Sequence, residues 1–147
     1  MNFVTLLCST QGRVGRGLYW SCFGIWLLVD ILLRGSVSAV AAFTGDERVV
    51  AIAFWAWAGF GMVTYFPLTA LLVKRLHDTG RSGMWTAFQH LMLLSMLMLV
   101  ASIARMAPGS LLLWSLVMLV CAIGTLVVFV FTLFPGEDGS NPYGLAG

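Results

Sequence analysis

Residues 110–134 read SLLLWSLVMLVCAIGTLVVFVFTLF, and this stretch decides the fold class. It contains no charged residue over 25 positions. A helix rises about 1.5 Å per residue, so that roughly 20 apolar residues cross about 30 Å of hydrocarbon. The stretch therefore predicts a transmembrane helix, which ends where Pro135 and Gly136 interrupt the apolar pattern.

Three further stretches are long and apolar enough to cross a membrane. They cover about residues 18–43, 49–73 and 84–106. The connections between the four spans are short and cover residues 44–48, 74–83 and 107–109. Short connections place consecutive helices antiparallel. The sequence thus predicts an all-α, polytopic membrane protein, with one membrane domain over residues 1–147 that forms an antiparallel bundle of four transmembrane helices.

The composition excludes the other broad protein classes. Hydrophobic residues make up 60% of the 147 positions and charged residues only 10%, with a mean hydropathy of +0.95. Soluble domains carry about 25% charged residues, and disordered chains need low hydrophobicity. Three cysteines without paired spacing also exclude a disulfide scaffold. We expect no cofactor, no metal site and no nucleic-acid partner.

Positive charges are unequal between the two sides of the predicted bundle. With four spans, both termini and the 74–83 connection share one side. That side carries Arg13, Arg16, Lys74, Arg75 and Arg81. The other side carries Arg48 and Arg105, with Arg34 if its side chain reaches outward. Basic residues accumulate on the cytoplasmic side of membrane proteins. The sequence therefore predicts a multi-pass membrane protein with both termini in the cytoplasm.

Polar residues concentrate on the same side, in residues 12–20, 74–85 and 135–144. In one interpretation, guanidinium groups and glycines beside the start of the third span bind an anion. The alternative is a basic connection that fixes topology and hydrogen-bonds to the tails. We refer to the candidate residues as the cap: Arg13, Arg16, Arg75, His77, Asp78, Arg81, Ser82, Asn141 and Tyr143.

Two ionisable residues lie inside the first predicted span. Asp30 and Arg34 are four positions apart, which places them on one helical face in the favourable order for an ion pair. Ionisable residues at membrane depth usually face the bundle or a wet cavity. The pair either lines a path for ions or protons, or neutralises itself while Arg34 reaches the outer headgroups.

The three polar segments resemble the domain-of-unknown-function 805 family of small bacterial inner-membrane proteins. The longest matching motif is RLHDTGRSG at residues 75–83, with Trp85 two positions further on. The amino-terminal match is GRVGR at residues 12–16 followed by Tyr19 and Trp20, and the carboxyl-terminal match includes Pro135, Gly136, Gly139, Asn141, Tyr143 and Gly144. The resemblance implies a plasma-membrane protein of unestablished activity, and it provides no catalytic residues.

Three functional hypotheses follow. In the first, the protein is a non-enzymatic membrane module whose cap binds an anionic lipid headgroup or a partner protein. In the second, it is a subunit of an oligomeric transporter or channel with Asp30 in the path. In the third, it is an enzyme acting on a lipid-linked substrate, with His77 as base and Asp78 orienting it. Expected partners are the lipid bilayer, its anionic headgroups, further copies of the chain, or another membrane protein.

Overall fold

The computed structural model describes residues 3–104 and 108–144. Its helical elements are α1 (Phe3–Cys8), α2 (Arg16–Thr44), α3 (Glu47–Asp78), a 3-10 helix (Gly83–Thr86), α4 (Ala87–Ala104) and α5 (Pro108–Leu133). Within these described ranges, four helical segments are long and apolar enough to cross a membrane. The described ranges contain no β-strand, only an isolated bridge between Asn141 and Gly144. The predicted all-α fold with four transmembrane helices is confirmed.

Helix α3 extends five residues beyond its predicted end at Val73. The first half of the predicted 74–83 connection is therefore helical, which corrects its interpretation as a loop. Gly80 has a φ of +70° and ends the helix. The N–H of Arg81 donates to the carbonyl of Leu76, and the N–H of Gly80 donates to that of His77. These two bonds form a Schellman motif, in which glycine adopts the left-handed conformation that other residues resist.

The remaining connections are tight. Gly45 has a φ of +60°, and the next residue, Asp46, caps α3 by accepting a bond of 2.8 Å from the N–H of Arg48. Pro108 is the first residue of α5 rather than part of a loop, a position where proline is favoured. The predicted end of the third span at Met106, the charge of Arg105, and Ala107 lie outside the described residues.

The four long helices form two antiparallel hairpins, α2 with α3 and α4 with α5, and α3 also contacts α5 and the 3-10 helix. The buried hydrophobic core is small, and it lies where α2 begins and α3 and α5 end. It consists of Val14, Tyr19, Leu71, Leu72, Leu76 and Val128. We call this end of the molecule the polar end, because the buried charged residues Arg13, Lys74, Arg75 and Asp78 also lie there. Elsewhere, large apolar side chains such as Ile25 and Ile52 are exposed, as lipid-facing residues are.

Candidate functional site

Asp78, the last residue of α3, is the centre of the cap. Nη2 of Arg13 lies 3.0 Å from its Oδ1, and Arg75, one turn earlier on α3, donates to its Oδ2. All three side chains are at least 95% buried. Two guanidinium groups around one carboxylate leave a net positive charge, and such a buried cluster needs further hydrogen-bond acceptors.

Backbone carbonyls of the segment after α5 provide those acceptors. Arg13 donates to the carbonyls of Glu137, Gly139 (2.6 Å) and Gly144 (3.3 Å). Arg75 donates to those of Thr132 (3.2 Å) and Phe134. The last carbonyls of a helix lack partners within the helix and favour a nearby cation. The two arginines therefore fasten the end of α5 and residues 134–144 to the end of α3.

Gly136 makes this close approach possible. A Cβ at position 136 would overlap the carboxylate of Asp78. The N–H of the next residue, Glu137, donates to the carbonyl of Asp78 over 2.8 Å. The backbone at residues 136–137 thus packs directly against Asp78, and a residue with a side chain would displace it.

His77 connects the three polar segments. Its ring stacks on that of Tyr143, with centroids 3.9 Å apart and planes 1° from parallel. Its Nδ1 lies 3.3 Å from the carbonyl oxygen of Gly12. Nδ2 of Asn141 donates to the His77 carbonyl over 2.9 Å. His77, Asn141 and Tyr143 therefore hold the carboxyl-terminal segment beside the amino-terminal one, while Asp78 is engaged by the two arginines.

Three cap residues lie toward the outside. The guanidinium carbon of Arg81 is 3.9 Å from the centre of the Phe131 ring, a cation–π contact. Ser82 accepts from the N–H of Met84 and so begins the 3-10 helix. Arg16 is exposed, and its Nη1 lies 3.5 Å from the carbonyl oxygen of Leu133, at the long limit of a hydrogen bond. The nine predicted residues lie at one end of the molecule. Of the four cap arginines only Arg16 is exposed, whereas Arg81 is half-buried and Arg13 and Arg75 are buried.

Lys74 is a buried member of this region that the cap did not include. It has no exposed surface, and its Nζ donates to the carbonyls of Thr5 and Leu6 at the end of α1. The short helix α1 packs against α3 through this contact, with Leu6 and Leu7 against the core. The sequence contained no direct signal for it, because the amino-terminal segment had no pattern beyond its apolar residues.

Asp30 and Arg34 form a salt bridge on α2, and the cluster has a third member. Nε of Arg34 lies 2.7 Å from Oδ2 of Asp30, and Nε1 of Trp57 on α3 donates to Oδ1 over 2.9 Å. The Arg34 guanidinium carbon lies 4.7 Å from the centre of the Trp57 ring. Both carboxylate oxygens of Asp30 are thus occupied, and the cluster connects α2 to α3. Trp57 has no sequence signal that separates it from the neighbouring tryptophan, Trp55.

A family model described as a protein of unknown function, DUF805, matches residues 7–145. The chain belongs to the DUF805 family. The match covers nearly the full length of the chain, and it includes all three segments that build the polar end. The predicted family resemblance is confirmed.

Three relatives from Escherichia coli strain K12 agree with this assignment. The uncharacterized protein YiiR is 31% identical over 98% of this chain and 89% of its own length. The inner membrane proteins YhaI and YhaH are 27% and 25% identical, over 91% of this chain and 81% and 83% of their own lengths. No solved structure matches. With its four apolar helices, this DUF805 chain is a small multi-pass inner-membrane protein.

Proposed function

We propose that this DUF805 protein is a non-enzymatic membrane module that binds an anionic lipid headgroup at its polar end, which lies on the cytoplasmic side. The observation that carries the proposal is the exposed guanidinium of Arg16 beside an open groove. A single membrane domain over residues 1–147 is part of the proposal, since the segments before α2 and after α5 both pack on α3.

The charge distribution supports the cytoplasmic orientation. Arg13, Arg16, Lys74, Arg75 and Arg81 lie at the polar end, whereas the opposite end of the described residues carries Arg34 and Arg48. An excess of basic residues marks the cytoplasmic side, where anionic lipids also make the surface potential negative.

The groove beside Arg16 has the composition of an interfacial lipid site. It has a volume of about 480 Å³ and is lined by Arg16, Gly17, Trp20 and Leu133. The contact with Leu133 uses one of the five N–H donors of the guanidinium, which leaves others for a phosphate. Gly15, the residue before α2, has no side chain to cap the helix, and Gly17 in the first turn also lines the groove. Trp20 is of the type that sits at headgroup level.

The partners of the buried cap residues support a binding module over an enzyme. Asp78 is held by Arg13 and Arg75, and the ring of His77 contacts Gly12 and Tyr143 rather than Asp78. If His77 were a base oriented by Asp78, its imidazole would contact the Asp78 carboxylate. The partners of the two side chains take the place of that contact. Arg13 and Arg75 likewise direct their donors to the protein, so that Arg16 is the best-placed ligand for an external anion.

Lipid retention tests the proposal directly. The purified full chain is exchanged into mixtures of phosphatidylglycerol and phosphatidylcholine with identical acyl chains, and retained lipid is counted by native mass spectrometry. We expect the wild type to prefer phosphatidylglycerol and R16Q to lower that preference about fivefold, the effect of one basic residue near a lipid surface. R48Q removes an exposed arginine at the opposite end and serves as the matched control.

An R16Q protein with the wild-type lipid preference would overturn the headgroup assignment. The alternative in which the cap binds a partner protein would then take its place. An equal loss in R16Q and R48Q would show that net charge, rather than the groove beside Arg16, sets the preference.

A further inference from the structure

A second groove at the polar end is lined by two histidines and lies between α3 and the first turns of α4. It has a volume of about 630 Å³. Its polar lining comes from Thr10, His77, Thr86 and His90, and its apolar lining includes Met84 and Leu91. Met84 and Leu91 are 79% and 48% exposed, so that the groove continues onto the lipid-facing surface.

The hydrogen bonds of the two imidazoles fix their tautomers. Nδ1 of His77 lies 3.3 Å from the Gly12 carbonyl oxygen, and Nδ1 of His90 lies 2.7 Å from that of Thr86. A carbonyl oxygen only accepts, so that Nδ1 carries the proton in each ring. In the neutral imidazole, Nε2 then carries a lone pair and is a hydrogen-bond acceptor.

Nε2 of His77 adjoins the groove, and His90 is an exposed residue that also lines it. Nε2 of His77 points toward Gly83, which also lines the groove, because a Cβ built on that glycine would lie 3.4 Å from it. Neither Nε2 forms a hydrogen bond within residues 3–104 and 108–144. The rings of His90 and Tyr65 are nearly perpendicular with centroids 5.5 Å apart, and this contact holds the His90 ring from the α3 side.

The lining selects the chemical class of the ligand. Among the residues that the structure describes, no Lys, Arg, Asp or Glu lines the groove, so that it offers no neutralising charge to a bare anion or cation. Structural metal sites use four ligands, and the described residues contain no cluster of three His, Cys, Asp or Glu side chains. The two imidazole acceptors match a zwitterionic headgroup, whose ammonium donates N–H bonds and whose phosphate balances the ammonium charge.

We propose that this groove binds a phospholipid with a primary ammonium headgroup, of the phosphatidylethanolamine type. The ammonium donates to Nε2 of His77 and of His90, the hydroxyl of Thr10 donates to the phosphate, and an acyl chain follows Met84 and Leu91. The groove sits beside the start of α4 at the polar end, where headgroups lie. The site is separate from that of Arg16 in both residues and lipid class, so that either proposal can fail alone.

Phosphatidylcholine is the matched ligand control, because its quaternary ammonium has the same charge and no N–H. With identical acyl chains at equal concentration, we expect the wild-type full chain to retain phosphatidylethanolamine about fivefold over phosphatidylcholine by native mass spectrometry, the effect of two interhelical-strength bonds in a bilayer. The double variant H77F/H90F keeps both ring contacts and removes the nitrogens, and it should retain the two lipids equally. R16Q should keep the wild-type ratio.

A wild-type ratio of one overturns the proposal, as does an unchanged ratio in H77F/H90F. If that variant fails to fold, ¹⁵N spectra of the wild-type imidazoles decide. We expect the Nε2 signals of both histidines to be unprotonated and to shift with phosphatidylethanolamine but not with phosphatidylcholine. The same shift with soluble ethanolamine would overturn the assignment to a lipid.

Discussion

Arg13 and Asp78 lie 65 positions apart in the sequence, and Nη2 of Arg13 lies 3.0 Å from Oδ1 of Asp78 with both side chains almost fully buried. This contact brings the segment before α2 to the end of α3. Since Arg13 also donates to carbonyls at residues 137, 139 and 144, one side chain joins three distant parts of the chain.

Removal of the Asp78 carboxylate should destabilise the protein strongly. In D78A, Arg13 and Arg75 remain buried without their counter-charge, and breaking a buried pair in this way costs about 3–5 kcal/mol of unfolding free energy. Denaturant unfolding in detergent measures the loss. D138A, which removes an exposed carboxylate nearby, should change the free energy of unfolding by less than about 0.5 kcal/mol. Equal effects of the two changes would contradict a central role of Asp78.

A methyl group at position 136 should loosen the segment after α5. In G136A the new Cβ meets the Asp78 carboxylate, so that the backbone must shift, at about 1–3 kcal/mol of unfolding free energy. Limited proteolysis within residues 134–144 should become faster. G59A is the control, because a Cβ on that helical glycine meets nothing within 4 Å and alanine favours the helix. Unchanged proteolysis of G136A would show that the segment can accommodate the shift.

The Trp57 indole should contribute to the association of α2 with α3. W57F removes the N–H that donates to Asp30 while keeping an aromatic ring, and we expect a loss of about 1 kcal/mol in unfolding free energy. W55F changes a neighbouring tryptophan that is 70% exposed and should have a smaller effect. Thermal unfolding of both variants in the same detergent makes the comparison, and a larger loss in W55F would refute the role of Trp57.

Asp30→Asn separates a structural ion pair from a transport path. Arg34 and Trp57 occupy both carboxylate oxygens, so that we expect the ion and proton permeability of proteoliposomes to be the same for D30N and the wild type. If the wild type conducts and D30N does not, the transporter or channel alternative is supported instead. R48Q provides a charge change at an exposed site for comparison.

Labelling of single cysteines tests the orientation. In a background without the native cysteines, S140C marks the polar end and R48C the opposite end. A membrane-impermeant maleimide applied to intact spheroplasts should label R48C, and it should label S140C only after lysis, because the basic polar end is expected in the cytoplasm. The reverse pattern would place the polar end outside.

The number and approximate positions of the four long helices could be predicted from the sequence, because each helix corresponds to a local run of apolar residues. The apolar pattern predicts the end of the second span at Val73, five residues before α3 ends, because charged residues usually lie outside a membrane span. Lys74, Arg75 and Asp78 remain helical since the tails cover them, and Gly80 with its left-handed φ is the true stop. Gly80 can be read from the sequence as a helix stop. The packing of the terminal segments, which buries the charged residues of α3, cannot.

Proximity of the cap residues also followed from the topology, because an even number of spans returns the tails to one end. Their individual partners did not follow. The roles of Arg13 and Arg75 depend on backbone carbonyls of residues 132–144, which carry no residue-type signal, and the contact of Lys74 depends on the carbonyls of Thr5 and Leu6. Side-chain acceptors can be anticipated from a sequence pattern, whereas backbone acceptors depend on where the chain passes.

The fastening of residues 132–144 to Arg13 and Arg75 has a consequence for biosynthesis. These contacts join positions as many as 131 apart, so that the acceptors leave the ribosome after all four long helices have been made. Until then, Arg13 and Arg75 have the Asp78 carboxylate as a partner but lack these carbonyl acceptors. Closure of the polar end therefore cannot precede the synthesis of α5, and it requires that α5 ends on the same side of the membrane as α3.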